Sequence, residues 1–258
     1  MQSKLAFNGF STFSLKIIGI ILMFIDHFHE MFSPFGVPGW LDWFGRPVAT
    51  IFFFVSVIGF SHTHSKRTYM VRMYLCMVMM GLLVLFLEKT IHFDKIGLMN
   101  NIFRDLFIGT LFMAAIDEFK AFHLNKKAKH LLLGLLFCLL PFVFSGLVFL
   151  ALGDSVSPIF SNIIFSFTPA ILLAENNIMV LLIPFLYLAK NNRKVQCLLI
   201  ALTALFFAFS GNTQWMMIFS IIPIWFYNGK KGRGMKYFFY IFYPAHIAGL
   251  YILAALLY

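Results

Sequence analysis

The chain has 258 residues, of which 61% are hydrophobic and 19% aromatic, and its mean hydropathy is +0.87. This composition excludes a soluble globular domain, because a soluble surface cannot be built from so few polar side chains. The formal net charge of +10 comes from Lys and Arg in short loops. That pattern is typical of membrane proteins that follow the positive-inside rule, and the loops carry no motif that indicates nucleic-acid binding.

Apolar windows bounded by charges or turn residues predict an all-α, polytopic transmembrane helical bundle of about nine spans, in a single domain over residues 1–258. The predicted crossings are 15–32, 46–61, 69–87, 100–116, 131–152, 170–189, 195–210, 213–227 and 237–258. A short interfacial or re-entrant element is expected near 157–168. A full extra crossing there would move the next basic loop to the other side of the membrane.

Basic residues are distributed unequally between the two sides of this bundle. One side of the predicted bundle holds Lys4, Lys16, Lys66, Arg67, Arg72, Lys120, Lys126, Lys127, Lys129, Lys190, Arg193, Lys194, Lys230, Lys231, Arg233 and Lys236. The opposite side keeps only Arg46, Lys89 and Lys95. The positive-inside rule therefore predicts a cytoplasmic N-terminus in a multi-pass protein of the inner (cytoplasmic) membrane.

Cysteine and histidine spacings do not indicate a metal site. Cys76, Cys138 and Cys197 lie in apolar segments without paired spacing, so packing is their expected role. His62 and His64 are two residues apart at the end of a predicted helix, which directs their side chains to different faces. No metal is expected.

The first predicted helix carries Asp26, His27 and Glu30 in an otherwise apolar run. A charged side chain at the bilayer centre costs roughly 2.5–3.5 kcal/mol on insertion scales, so these residues should face protein or water rather than lipid. Lys16 and His27 are eleven positions apart, which at about 100° per residue returns to nearly the same helix face, about 16 Å along the axis. The spacing predicts a cation near the membrane surface, below a buried imidazole.

Other polar residues lie inside predicted spans. They are Arg46, Arg104, Asp105, Glu175, Gln214 and His246. Each could be functional, or could simply join helices or extend toward the interface from a helix end. Arg104 is expected to pair with an acid from another helix. His246 lies about ten residues beyond Lys236, so its expected depth matches that of His27.

Three stretches resemble the TraX family of integral membrane proteins, typified by the F-pilin N-acetylase of conjugation systems. The matching stretches are 15–27 (LKIIGIILMFIDH), 44–62 (FGRPVATIFFFVSVIGFSH) and 227–246 (YNGKKGRGMKYFFYIFYPAH). The resemblance extends from about residue 15 to the C-terminus. The family resembles a wider membrane acyltransferase superfamily that has an Arg-x10-His arrangement on an early helix, and Lys16 and His27 have that spacing with lysine in place of arginine.

The resemblance implies transfer of an acetyl group from cytoplasmic acetyl-CoA to an amine, such as the N-terminus of a pilin or another small membrane protein. Attack on a thioester requires a base and a group that stabilises the developing oxyanion. Candidates for these catalytic roles are His27, Asp26 and His246, whereas the candidate donor-binding residues are Lys16, Arg46, Lys230, Lys231 and Arg233. The other expected partner of the protein is the lipid of the membrane that surrounds it.

Two alternatives remain open at this point. One is an O-acyltransferase that acts on an envelope glycan or lipid. The other is a transporter or assembly factor without enzymatic activity, in which His27, Glu30, Glu175 and His246 form a proton relay. The absence of an internal repeat and the spacing of Lys16 and His27 favour the enzyme.

Overall fold

A computed structural model describes residues 9–91, 93–152 and 157–258 of the chain. The described α-helices are α1 (Thr12–Phe32), α2 (Val48–His62), α3 (Lys66–Thr90), α4 (Ile102–Asn125), α5 (Ala128–Ala151), α6 (Pro158–Phe167), α7 (Leu182–Leu188), α8 (Arg193–Phe209), α9 (Ile221–Trp225) and α10 (Lys236–Leu257). Short 3-10 helices cover Ser33–Phe35, Gly39–Phe44, Ile171–Leu173, Asn177–Leu181 and Thr213–Ser220. Within the described ranges there is no β-strand beyond one isolated bridge. Lys4 and the side chain of Lys236 lie outside what is described.

Five helical segments are long and apolar enough to cross a membrane. They are Thr12–Phe35, Gly39–His62, Lys66–Thr90, Ala128–Ala151 and Tyr237–Leu257. These five correspond to five of the predicted crossings, so the all-α membrane class is confirmed. The predicted crossings at 100–116 and 195–210 fall on α4 and α8, whereas those at 170–189 and 213–227 fall on series of shorter helices. The expected short element near 157–168 is α6.

The start of α1 is tied to the loop that precedes α10. The amides of Thr12 and Phe13 donate to the carbonyls of Lys230 and Lys231, at 2.9 and 3.1 Å. The Ser11 side chain accepts from the Ser14 amide at 3.1 Å, which satisfies one of the amides left free at a helix N-terminus. The first helix and the basic loop 227–234 are therefore held together at one end of the bundle.

Other basic loops lie at this same end. Lys66, at the start of α3, forms an ion pair with Asp117 of α4 at 2.5 Å. Arg193, at the start of α8, donates to the carbonyl of Tyr227 at 2.6 Å. The structure therefore brings the starts of α1, α3, α8 and α10 together on the basic side.

Helix α4 begins in the interior of the bundle rather than at its surface. The preceding segment, 93–101, is not helical and returns from the end of α3 to the level of Met77, midway along that helix. There the Asn101 side chain donates to the Met77 carbonyl at 3.0 Å. Irregular backbone at such a depth is tolerated only where the protein supplies its hydrogen bonds.

Arg104 supplies hydrogen bonds to the last turn of α6 and to the irregular segment that follows it. Its guanidinium donates to the carbonyls of Leu173, at 2.8 Å, and Phe165, at 2.5 Å. The expectation that Arg104 pairs with an acid from another helix is therefore wrong. Helix α6 ends inside the bundle, so its terminal carbonyls need donors, and the buried guanidinium provides one for the carbonyl of Phe165.

Asp105 supplies the complementary acceptors for the same segment. Its two carboxylate oxygens accept from the backbone amides of Glu175 and Asn176, at 2.9 and 3.0 Å, and from the Asn176 side chain at 2.7 Å. The Asp105 side chain is fully buried. Arg104 and Asp105 thus satisfy the carbonyls and amides of one broken stretch of chain from consecutive positions on α4.

We expect Asp105→Ala to destabilise the protein strongly, because two backbone amides lose their acceptor at a cost of about 1–3 kcal/mol each. Asp105→Asn retains one acceptor oxygen and should lose less. Thermal unfolding of the purified protein in detergent measures the effect, with Asp94→Ala on the exposed loop after α3 as the control. An unfolding midpoint for Asp105→Ala equal to that of Asp94→Ala would contradict this role.

Candidate active site

A cavity of about 770 Å³ opens at the basic end of the bundle, between α1, α2, α3, α10 and the loop 227–234. The cations that line it are Lys16, Arg72, Lys231 and Arg233, and His62 lies at its rim. No described residue that lines the cavity is Asp or Glu. The cavity is therefore positively charged and suited to an anionic molecule.

Aromatic rings form much of the remaining wall. The aromatic lining residues include Phe13, Tyr69, Tyr227, Tyr237, Phe239, Tyr240 and Tyr243. The Lys16 ammonium lies 4.7 Å from the centroid of the Phe239 ring. Aromatic faces beside cations provide stacking surfaces for a planar base together with counter-charges for phosphates.

Arg72 belongs to this cavity, although sequence reasoning used it only to orient the protein. Its guanidinium lies 5.4 Å from the Tyr69 ring centroid and 5.5 Å from that of Tyr240. Its Nε has no hydrogen-bond partner among the described residues. One feature of the sequence could have indicated this role. Arg72 follows Lys66, the first residue of α3, by six residues, so it lies deeper in the bundle than the charges of the loops.

The inner end of the cavity points toward His27. Lys16, Ile20 and Met23 line the cavity along one face of α1, and His27 is the next residue on that face. The side chain is only 3% exposed. Tyr243 also lines the inner end, with its ring centroid 6.1 Å from that of His27. His27 therefore lies just beyond the inner end of the cavity, on the face that the sequence predicted.

His27 and His246 are hydrogen-bonded to each other. Nδ1 of His27 and Nε2 of His246 are 2.7 Å apart, and the two rings stack with centroids 5.0 Å apart. The expectation that the two histidines lie at the same depth is confirmed. Asp26, the catalytic candidate adjacent to His27 in sequence, does not contact this ring, and the group in contact with Nδ1 of His27 is the imidazole of His246.

The contacts of His246 determine the proton positions in the neutral pair. Its Nδ1 is 2.8 Å from the carbonyl of Phe242, which can only accept, so the proton is on Nδ1 and Nε2 is an acceptor. The Nδ1–H of His27 must then donate to that acceptor. This arrangement places the lone pair of His27 on Nε2, which is the form that a general base needs.

Asp26 and Arg46 lie apart from the cavity and from the histidine pair. The Arg46 guanidinium is 3.7 Å from the Asp26 carboxylate and in direct contact with Asp42. It also donates to the side chain of Gln214 at 3.3 Å, and that side chain donates back to the Arg46 carbonyl at 3.0 Å. A methyl group at Gly45 would overlap the Asp26 carboxylate, so a larger residue there would displace that carboxylate. These predicted site residues form a separate polar network.

The acidic residues of the interior are also held by neighbours. Glu30 accepts from the Asn100 side chain at 2.9 Å. The Tyr243 hydroxyl donates to Glu175 at 2.8 Å and accepts from the Ile102 amide at 3.0 Å. The structure thus connects Glu175 to the inner end of the cavity through Tyr243.

Of the three basic residues of the loop 227–234 that were candidates for donor binding, Lys230 is the one that does not line the cavity within the part of the chain described here. Its backbone holds α1 through the Thr12 amide, and its side chain is exposed. Lys16, Lys231 and Arg233, by contrast, all line the cavity.

The family model described as TraX protein matches residues 11–254, which is nearly the whole chain. The match includes α1 with Lys16 and His27, the basic loop before α10, and His246. No curated protein and no solved structure matches the chain.

Proposed function

The chain belongs to the TraX family, and on that premise we propose that it is a membrane-embedded acetyltransferase that transfers an acetyl group from acetyl-CoA to an amine. Family membership indicates a conjugation-related membrane protein. The observation that carries the proposal is the hydrogen-bonded pair of His27 and His246 at the inner end of a positively charged cavity. By the family resemblance, the acceptor amine is the N-terminus of a pilin-like protein.

The charges of the cavity support a nucleotide thioester as the donor. Lys16, Arg72, Lys231 and Arg233 can neutralise phosphates, and the tyrosine and phenylalanine rings can stack on adenine. Arg46 and Lys230, which do not line the cavity, are left out of this donor site. Met23 and Tyr243 line the cavity beside His27, and we place the thioester there.

His27 supplies the base in the proposed reaction. Its Nε2 accepts the proton that the amine loses as the amine nitrogen attacks the thioester carbonyl. His246 is a positioning residue, because its Nε2 holds the His27 Nδ1–H and so fixes the tautomer. The proton then passes from His27 to the departing thiolate, which yields the N-acetylated product and the free thiol. One C–N bond forms and the C–S bond of the thioester breaks, with no change in oxidation state.

In the proposed topology the chain crosses the inner membrane about nine times. Its N-terminus lies in the cytoplasm. The basic loops at the cavity end support it by the positive-inside rule. In that orientation the cavity opens to the cytoplasm, where acetyl-CoA is made.

We expect His27→Ala to lower acetyl transfer by the roughly 10²-fold to 10⁴-fold that loss of a general base costs. The assay incubates the purified protein with acetyl-labelled acetyl-CoA and an acceptor peptide, at matched expression and monodispersity. His29→Ala is the matched control, since that side chain lies about 200° around the helix from His27. His246→Ala should fall between the two, and His246→Gln should recover activity because its amide oxygen can accept from the His27 Nδ1–H. Normal transfer by His27→Ala would exclude this mechanism, and no transfer by the unmodified protein would favour the relay alternative.

Lys16→Ala, Arg72→Ala and Arg233→Ala should each raise KM for acetyl-CoA and leave kcat nearly unchanged, because they remove binding that ground state and transition state share. Lys230→Ala is the control, as its side chain does not line the cavity. Steady-state kinetics with acetyl-CoA as the varied substrate gives both constants. If KM stays constant in the three cavity variants, these cations do not bind the donor.

The topology can be tested by labelling single cysteines in a variant that lacks the three native ones. A cysteine at Gly234, where an added Cβ meets open space, should be protected from an impermeant reagent applied outside intact cells. A cysteine at Tyr258, which is 60% exposed, should react. Gly232 is unsuitable, because its φ of +71° and its contact with Ser11 exclude a side chain. The reverse labelling pattern would invert the proposed orientation.

A further inference from the structure

Tyr243 of α10 packs against both imidazoles of the histidine pair. Its ring centroid lies 6.1 Å from that of His27 and 5.7 Å from that of His246, with interplanar angles of 72° and 69°. Both are edge-to-face contacts, an arrangement that aromatic rings favour. Tyr243 is 3% exposed and lines the inner end of the cavity. One ring therefore touches both members of the pair, at the place where we put the thioester.

The hydroxyl of Tyr243 is held by groups that lie outside α10. The amide of Ile102 can only donate, so the hydroxyl oxygen accepts from it, at 3.0 Å. The hydroxyl proton is then donated to the carboxylate of Glu175, at 2.8 Å. Among the described residues these are the hydrogen bonds of the hydroxyl, and neither imidazole is a partner. Tyr243 thus contacts the histidines through its ring while two distant segments hold its hydroxyl.

The Glu175 anchor is in turn fixed by the first turn of α4. The Glu175 amide donates to one carboxylate oxygen of Asp105 at 2.9 Å, and the Asn176 amide donates to the other at 3.0 Å. Within the described ranges the Glu175 carboxylate forms no ion pair. It therefore serves Tyr243 as a hydrogen-bond acceptor rather than balancing a cation.

The contact with both imidazoles distinguishes Tyr243 from a tyrosine that only fills space. A buried tyrosine needs hydrogen-bond partners in any protein, so its two anchors alone would not indicate a role in the site. An imidazole, however, has broad preferences for rotation about χ2. The 2.7 Å bond from Nδ1 of His27 to Nε2 of His246 requires both rings to keep one orientation, and the Tyr243 ring restricts both.

We propose that Tyr243 is a positioning residue of the acetyl-transfer site. Held at its hydroxyl by Glu175 and by the Ile102 amide, its ring keeps the two imidazoles oriented so that the Nδ1–H of His27 donates to Nε2 of His246. This orientation leaves the lone pair of His27 on Nε2, where a general base needs it. The effect on rate rests on the proposed acetyl transfer, whereas the geometry of the pair can be measured without it.

Tyr243→Leu removes the ring, and Tyr243→Phe keeps the ring but removes its anchors. The matched controls are Tyr251→Leu and Tyr251→Phe on the same helix, because Tyr251 is 1% exposed, packs on Phe93 and is absent from the described lining of the cavity. Misplacement of a catalytic group can cost about 10²-fold in rate, so we expect kcat to fall about 10²-fold in Tyr243→Leu and about 10-fold in Tyr243→Phe, with KM for acetyl-CoA unchanged. Steady-state kinetics on monodisperse protein in detergent gives both constants.

NMR on protein labelled with ¹⁵N-histidine measures the pair without any acetyl transfer. The Nδ1–H signal of His27, assigned by its loss in His27→Ala, should be protected from solvent exchange in the unmodified protein and in both Tyr251 variants. We expect Tyr243→Leu to lose this signal and Tyr243→Phe to weaken it, because a freed imidazole breaks the bond to His246 and exchanges its proton with water.

Glu175 tests the anchor separately from the ring. Glu175→Leu removes the acceptor and should lower kcat and weaken the NMR signal as Tyr243→Phe does. Glu175→Gln keeps an oxygen that accepts from the Tyr243 hydroxyl, so it should restore both. If Tyr243→Leu is not monodisperse, Tyr243→Phe and the two Glu175 variants decide the question.

The proposal is overturned if Tyr243→Phe matches Tyr251→Phe in kcat and in the NMR signal, or if the Tyr243 variants raise KM and leave kcat unchanged. It is also overturned if Glu175→Gln is as impaired as Glu175→Leu, because the charge and not the hydrogen bond would then matter. An unmodified protein that transfers no acetyl group, but whose NMR signal depends on Tyr243 as expected, would refute the proposed function and leave the positioning role intact.

Discussion

Every backbone amide and carbonyl inside an apolar bundle must find a partner within the protein, and this structure depends on how that requirement is met at two breaks in its helices. Arg104 donates to a carbonyl in the last turn of α6 and to the carbonyl of Leu173, and Asp105 accepts from the amides of Glu175 and Asn176. Two consecutive residues of α4 thereby supply both the donors and the acceptors that the irregular segment after α6 needs. Because α4 itself begins in the interior, Ile102, Phe103 and Leu106 near its start line the cavity.

The charged residues of α1 have different surroundings because they lie on different faces of the helix. The face with Lys16, Ile20 and Met23 lines the large cavity and continues to His27. The adjacent face presents Asp26 to Arg46, which is tied to Asp42. Among the described residues, the separation keeps acidic side chains out of the lining of the positively charged cavity.

Spacing along α1 and α10 was sufficient to predict one shared helix face and one matching depth. Lys16 and His27 share a face because eleven residues complete about three turns, and His246 has matching depth because both helices start from the same end. The direct bond between the imidazoles was not predictable, because it depends on the rotation of α10 about its axis. The same limitation hid Arg72, whose helix carries no strong amphipathic signal that would orient it.

Composition and local pattern alone determined that the chain is an all-helical membrane protein, where its apolar segments lie and which residues are too polar to face lipid. These properties follow from the cost of transferring side chains into hydrocarbon, which is set residue by residue. The tertiary structure alone decided the partners of Arg104, Asp26 and His27. A polar group in the interior can be satisfied equally well by an acid, a carbonyl or an imidazole, and only the packing of helices distant in sequence determines which of these lies within hydrogen-bonding distance.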